Sequence, residues 1–225
     1  MEQMTLTQAM QERHSVRSYL DTRVPEEIRA ALAVCRDSLT NGQDLHIRLV
    51  WDDPEGFDSR LAHYGHFRNV RNFMVLSAPR GKDMDEAAGY CGEMLVLRAQ
   101  QLGLRTCWAA LTFNRKAVRR LVPDGDELII VIAMGYGADN GTEHRSQVEE
   151  KLAARSADDP AWYLQGVRAA LSAPTAVNQQ KFRIARSGRT VSIRTAGLGP
   201  CLKIDLGIVK CHFEIGAGKE NFQWA

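Results

Sequence analysis

Seven consecutive residues, Leu128-Ile-Ile-Val-Ile-Ala-Met134, carry no polar side chain and stop at Gly135-Tyr-Gly137. Such a run reads as a central strand that is apolar on both faces, and a strand of that kind needs cover on both. Helices supply the cover. From about Met84 to Leu102, Ala88, Cys91, Leu95, Ala99 and Leu102 fall on one stripe, and Gly103 stops the helix. Thr5-Leu-Thr-Gln8 resembles a capping box opening a first helix through Ala9, Met10 and Arg13. Pro25-Glu26-Glu27 opens a second, with Ile28, Leu32 and Cys35 at helical spacing. Leu45, Ile47 and Leu49 alternate with His46 and Arg48 as a half-buried strand, and Asn72 to Leu76 is a short apolar one ended by Ala78-Pro79. Beyond a polar connector from Ala154 to Pro160, a helix is expected over Ala161 to Leu171. A hairpin of Phe182-Arg-Ile184 and Val191-Ser-Ile193 then turns at Ser187-Gly188.

With 225 residues, 44% of them hydrophobic and 25% charged, the chain can bury one substantial core or two fused halves. A net charge of +2 without a basic run gives no basis for a nucleic-acid partner. No apolar segment is long enough to span a bilayer, and Met1-Glu-Gln-Met4 lacks a signal-peptide pattern, so a cytoplasmic protein is expected. Cys35, Cys91, Cys107, Cys201 and Cys211 are dispersed and odd in number, which fits buried thiols in a reducing compartment. His63-Tyr-Gly-His66 has no companion ligands, so no metal site is expected.

A faint repeat runs through this order. Arg29-Ala-Ala-Leu32, Asn41-Gly-Gln43 and Leu45-His-Ile47 are echoed by Arg168-Ala-Ala-Leu171, Asn178-Gln-Gln180 and Phe182-Arg-Ile184. Gly89 lies early in a helix whose chain reaches Trp108, as Gly207 does in one that reaches Trp224. RAAL is a common helical string, so coincidence stands beside duplication. Under duplication, residues 1–154 form a first half and residues 155–225 a shorter second half, packed about a pseudo-twofold axis as one compact unit.

Two distant segments carry binding chemistry. Arg13-His-Ser15-Val-Arg17 offers forked guanidinium donors suited to phosphate oxygens, with Ser15 within reach of a polyol or the phosphate. The alternative is a solvated basic helix end. Pro174-Thr175-Ala-Val-Asn178-Gln-Gln180 presents amides suited to the rim of a flat heterocycle, or is simply a polar turn. Together they point to a flavin mononucleotide (FMN) site built from opposite ends of the chain. Arg145, ahead of the capping-box pattern Ser146-Gln-Val-Glu149, is a candidate second phosphate contact at a helix N-terminus. Glu93 and His212 read as hydrogen-bonded interior groups, and Trp108 and Trp224 as core aromatics.

The ordered strings Arg13-His-Ser-Val-Arg-Ser-Tyr19, Gly89-Tyr-Cys-Gly-Glu93, Leu102-Gly-Leu-Arg-Thr-Cys-Trp108, Thr112-Phe-Asn-Arg-Lys116, Met134-Gly-Tyr-Gly137, His144-Arg-Ser146, Ala173 to Gln180 and Asp205 to Phe213 span nearly the whole chain. In them the chain resembles the flavin-dependent nitroreductase family, and most closely the branch with two related halves in one polypeptide. The resemblance implies an α+β fold, a mixed central sheet flanked by helices, with FMN where the halves meet. It implies ping-pong hydride transfer from NADH or NADPH, through the flavin, to a nitro, quinone or similar small acceptor. No catalytic side chain is required. Carried over, Arg13, Ser15 and Arg17 hold the phosphate end with Arg145, while Thr175, Asn178 and Gln180 serve the ring or ribityl side. Backbone from Ala109 through Ala110 and Leu111 to Thr112 approaches the ring. A monomer, as a pseudo-dimer, or a homodimer is expected, with a small-molecule acceptor as partner.

The chain departs from the family pattern at the ring end. Ala110-Leu111 stand where glycines are usual, Arg105 stands at another glycine position, and Lys181-Phe182 replace proline and tryptophan. A leucine there narrows the acceptor pocket, and a degenerate flavin-binding homologue without catalysis is the alternative reading.

Overall fold

The computed structural model describes residues 4–225, so residues 1–3 of the Met1–Met4 stretch lie outside the described residues. The Thr5–Gln8 capping box closes as expected and starts α1 (Leu6–Glu12). Pro25 precedes α2 (Glu26–Thr40), whose first turn carries Glu26 and Glu27. The strands β1 (His46–Val50) and β2 (Asn72–Pro79) pair antiparallel, with the short α3 (Arg60–Tyr64) between them in sequence. Next come α4 (Asp85–Gln101), β3 (Arg105–Ala109), α5 (Arg115–Arg119) and β4 (Asp126–Gly135). The larger sheet has the order β1-β2-β4-β3, and every pairing in it is antiparallel.

The apolar run of β4 does what its composition requires. Ile130, Ile132 and Met134 enter one core with Leu76, Leu95 and Leu104, whereas Val131 and Ala133 enter another with Phe57, Phe67, Phe73 and Phe113. Alternate side chains of one strand thus feed two cores on opposite faces of the sheet.

The rest of the chain adds α6 (Ala161–Leu171), β5 (Phe182–Ser187), β6 (Thr190–Thr195), α7 (Leu202–Ala217) and β7 (Gln223–Trp224). The hairpin β5–β6 is antiparallel, and β7 joins it parallel to β6. The first core continues into this part through Tyr163, Val191, Ile208, Phe213 and Phe222, so one apolar interior runs from Val24 to Phe222. The fold is α+β, with helices packed on sheets.

Helices α4 and α7 cross at the centre. A Cβ on Gly89 of α4 would lie 2.1 Å from the Ile204 carbonyl oxygen, and one on Gly207 of α7 would lie 2.0 Å from that of Glu86. Each glycine therefore lets the other helix's backbone pass at a distance no side chain allows. Among the described residues, no helix is long and apolar enough to cross a membrane.

Candidate functional site

Six chain segments meet in a cavity of about 470 Å³. Ser15 and Arg17 enter from the extended stretch after α1, and Gly65, His66 and Phe67 from the turn after α3. The end of β3 gives Cys107 through Thr112, and β4 contributes Ile130. The turn after α6 gives Pro174 to Val177, and the start of α7 gives Cys201, Ile204, Asp205 and Ile208. A volume of that size suits a small ligand or a mononucleotide cofactor.

The walls have distinct chemistry. Past the last rung of β3, the backbone N–H groups of Ala110, Leu111 and Thr112 have no hydrogen-bond acceptor among the described residues. They line the cavity as a run of free donors. Gly65 packs against the Thr112 side chain, where a Cβ would come within 2.6 Å of Thr112 Cβ. Leu111 is 64% exposed at the same wall, and Val177 is 88% exposed opposite. Val177 holds a left-handed backbone at φ 47°, a conformation a β-branched residue rarely adopts.

Asp205 accepts the Ala176 N–H at 2.9 Å and a Gln179 Nε2 hydrogen at 2.7 Å, fastening the 175–180 turn to α7. Burial raises its carboxyl to about 6, against those hydrogen bonds. The sequence reading gave this carboxylate no role. Its signal is its place as the acid in the first turn of α7.

Behind the β3 wall lies a buried polar cluster. Glu93 accepts from Trp108 Nε1 at 2.9 Å and contacts His212 Nε2 at 2.9 Å, while Arg13 Nε stands 3.8 Å away. Glu93 and His212 are fully buried and Arg13 is 4% exposed. Burial pushes the Glu93 carboxyl up, but His212, Arg13 and the Trp108 hydrogen bond together hold it below the usual range. Two buried nitrogens here, Arg13 Nε and His14 Nδ1, have no hydrogen-bond partner among the described residues. Such atoms are costly to bury unpaired and fit an anion that the protein itself does not supply.

Of the residues singled out in the sequence, Ser15, Arg17, Ala110, Leu111, Thr112 and Thr175 come together in the cavity. Arg13 sits beside Glu93 and is not among the residues lining it. Asn178 and Gln180 also turn elsewhere. Asn178 Nδ2 and Gln180 Nε2 both donate to the Arg145 carbonyl oxygen, at 2.9 and 2.8 Å, and Gln180 Oε1 accepts from Gln147 N. Their amides tie two loops together. The helix expected at Ser146–Glu149 does not form, because Ser146 Oγ donates to the Leu171 carbonyl and only a short 3-10 turn follows at Glu149–Lys151. Arg145 is exposed on that loop and has no helix end to reinforce. Arg105 is relaxed within β3, since Gly103, at φ 82°, takes the left-handed turn. Trp108, expected as a core aromatic, also forms part of the cavity wall.

A protein-family model described as "Putative TM nitroreductase" matches residues 5–217. Among solved structures, a nitroreductase-type protein of Thermotoga maritima superposes with a TM-score of 0.69 at 21% identity, covering 98% of this chain and 87% of its own. A nitroreductase of Desulfovibrio desulfuricans in complex with FMN gives 0.52 at 22%, covering 69% and 96%. A protein of Bacteroides thetaiotaomicron described as an NADH dehydrogenase/NAD(P)H nitroreductase gives 0.53 at 22%, covering 65% and 95%. At identities this low the likeness is one of fold. No curated protein matches the sequence.

Proposed function

The chain belongs to this nitroreductase family, and from that premise we propose that it is an FMN-dependent NAD(P)H oxidoreductase. The observation that carries the reading is the cavity itself. Hydroxyl and guanidinium donors of Ser15 and Arg17 share it with the free N–H run of Ala110 to Thr112 and with the Thr175 turn.

The residues present fit FMN. Ser15 and Arg17 would hold the phosphate end from the cavity wall, with Arg13 adding its charge from behind them, where Arg13 Nε and His14 Nδ1 lack partners among the described residues. The Ala110–Thr112 amides would meet acceptors on the ring, with Thr175 on the facing turn. Arg145, Asn178 and Gln180 would act indirectly, by holding the turn against the neighbouring loop. Bound there, FMN would supply two-electron redox chemistry for ping-pong hydride exchange between NADH or NADPH and a nitro, quinone or similar small acceptor. The protein's part is to position the ring and exclude water: Ile130, Ile204 and Ile208 make the inner wall apolar.

The reciprocal glycines at the α4–α7 crossing support two related halves, residues 1–154 and 155–225, packed as a pseudo-dimer in which one chain suffices. Five free cysteines support a reducing, cytoplasmic setting.

A second reading, a flavin-binding homologue that transfers no hydride, is favoured by the exposed Leu111 side chain at the cavity wall. The visible spectrum of the purified protein, before and after anaerobic NADH or NADPH, separates the two. Flavin bands that bleach support the oxidoreductase, and bands that persist support the second reading. A protein that stays colourless after FMN addition overturns both.

A further inference from the structure

The buried cluster behind β3 carries a charge that its own residues do not balance. Ionised Glu93 can only accept, so His212 Nε2, 2.9 Å from Glu93 Oε1, must carry a hydrogen. His212 Nδ1 lies 3.2 Å from the Ala169 carbonyl oxygen and 3.2 Å from Ser172 Oγ. The Ser172 hydroxyl already donates to Ala169 O at 2.7 Å, so both neighbours of Nδ1 offer lone pairs. Nδ1 therefore carries a hydrogen too. With both ring nitrogens donating, the side chain is an imidazolium.

The charges then count as Arg13 and His212 positive against Glu93 negative, a net of +1 among side chains at most 4% exposed. Among the described residues, no acid packed around them cancels it. Burial and the charge of Glu93 hold the Cys211 thiol neutral beside them. Burial, with the charges of Arg13, His212 and His14, keeps His144 below its ordinary value against the bond to Leu171 O. The next acid along α7, Glu214, is taken up by Tyr90, Trp224 and Lys219. A buried positive charge without a counter-charge is costly, and orphaned donors add to the cost. A phosphate relieves both.

We infer that His212, held as an imidazolium by Glu93, makes the anion end of the site net positive and so selects a phosphorylated flavin over its dephosphorylated form. This rests on the flavin reading above and assigns to His212 and Glu93 the role of setting charge behind Arg13. Neither touches the ligand; they are positioning residues.

The test compares dissociation constants for FMN and riboflavin at pH 7, above the phosphate's own second ionisation at roughly pH 6. In His212→Gln the charges of Arg13 and Glu93 cancel, so the preference for FMN over riboflavin falls about tenfold. In Glu93→Gln Arg13 alone keeps the cluster at +1 or above, so the preference stays. A purely structural role would weaken both flavins together in both variants, which overturns the inference. So does a His212→Gln protein with the wild-type preference.

Should either variant fail to fold, nitrogen NMR of wild-type His212 at pH 7 decides: two protonated ring nitrogens are expected, and a single one overturns the assignment. Inorganic phosphate separates this inference from the flavin reading. If neither flavin binds but phosphate raises the melting temperature of the wild type and not of His212→Gln, the anion site stands and the flavin reading falls. If phosphate does not stabilise the wild type, the anion site falls.

Discussion

Gly89 and Gly207 are reciprocal: each sits where the other's helix presents bare backbone, with Ile204 O and Glu86 O lying where their side chains would be. Gly89→Ala places a methyl 2.1 Å from that carbonyl oxygen. The contact is backbone, which cannot rotate away. The expected cost is at least about 2 kcal/mol, larger than the roughly 1 kcal/mol that alanine gains in helix propensity. Urea titration of the two proteins measures it; equal midpoints would mean the helices can move apart freely.

Asp205 links stability to pH. Its carboxyl titrates at about 6 in the folded chain, against about 3.9 when unfolded. Between those values the folded state binds more protons, so this group's contribution is full below about pH 4 and is lost as pH rises through about 6. Asp205→Asn should remove that loss. Relative to wild type, the variant should gain about 1 kcal/mol on going from pH 5 to pH 8, read from melting curves at both. A constant difference between the two proteins would sink the argument.

At the phosphate end, Arg13→Ala combined with Ser15→Ala is expected to weaken FMN binding roughly tenfold or more, since charge-assisted hydrogen bonds are worth about 1.5–3 kcal/mol each. Fluorescence quenching of FMN gives the constant. Unchanged affinity would remove both residues from the site.

Leu111 bears on the acceptor. It is 64% exposed at the cavity wall, so Leu111→Gly should leave FMN affinity within about twofold while raising kcat/KM for bulky quinones several-fold. A scan across quinones of graded width would show it. The same profile in both proteins would free Leu111 of any part in selecting acceptors.

Val177 is strained and almost wholly in solvent, at φ 47° and 88% exposed. Val177→Gly relieves the left-handed strain with little loss of packing. A gain of about 0.5–1 kcal/mol is expected after glycine's extra chain entropy is deducted. Loss of stability in thermal unfolding would contradict this.

What the sequence made legible follows the range of the interaction concerned. The α4 stripe of Ala88, Cys91, Leu95 and Ala99 is a local pattern and gave the helix to within a residue or so. The β4 run announced cover on both faces, and two cores lie there. The edge strand β3 was missed because Arg105 and Thr106 open it; its regularity comes from pairing with β4 and cover from α4. Ser146–Glu149 failed in the opposite direction, since a correct local capping pattern lost its hydroxyl to Leu171 O, 25 residues away.

The site divides along the same line. Ser15 and Arg17 stood out as a local donor motif and Ala110 to Thr112 through the family resemblance, and all of them line the cavity. Asn178 and Gln180 offered the right amide chemistry, but the Arg145 carbonyl claims it across more than thirty residues. Glu93 and His212 were each legible as hydrogen-bonded interior groups. That they bond to one another, across 119 residues, is a product of the α4–α7 crossing.

The cavity takes its first wall from Ser15 and its last from Ile208. During synthesis, then, the stretch from Ser15 through Ile208 must have left the ribosome before there is anywhere for a ligand to sit. Up to that moment the inward face of α4 waits for α7, and the exposed apolar surface needs protection from aggregation. A ligand that binds here can reward only finished molecules. Supply of that ligand would therefore govern how many completed chains survive proteolysis, not how quickly the early strands assemble.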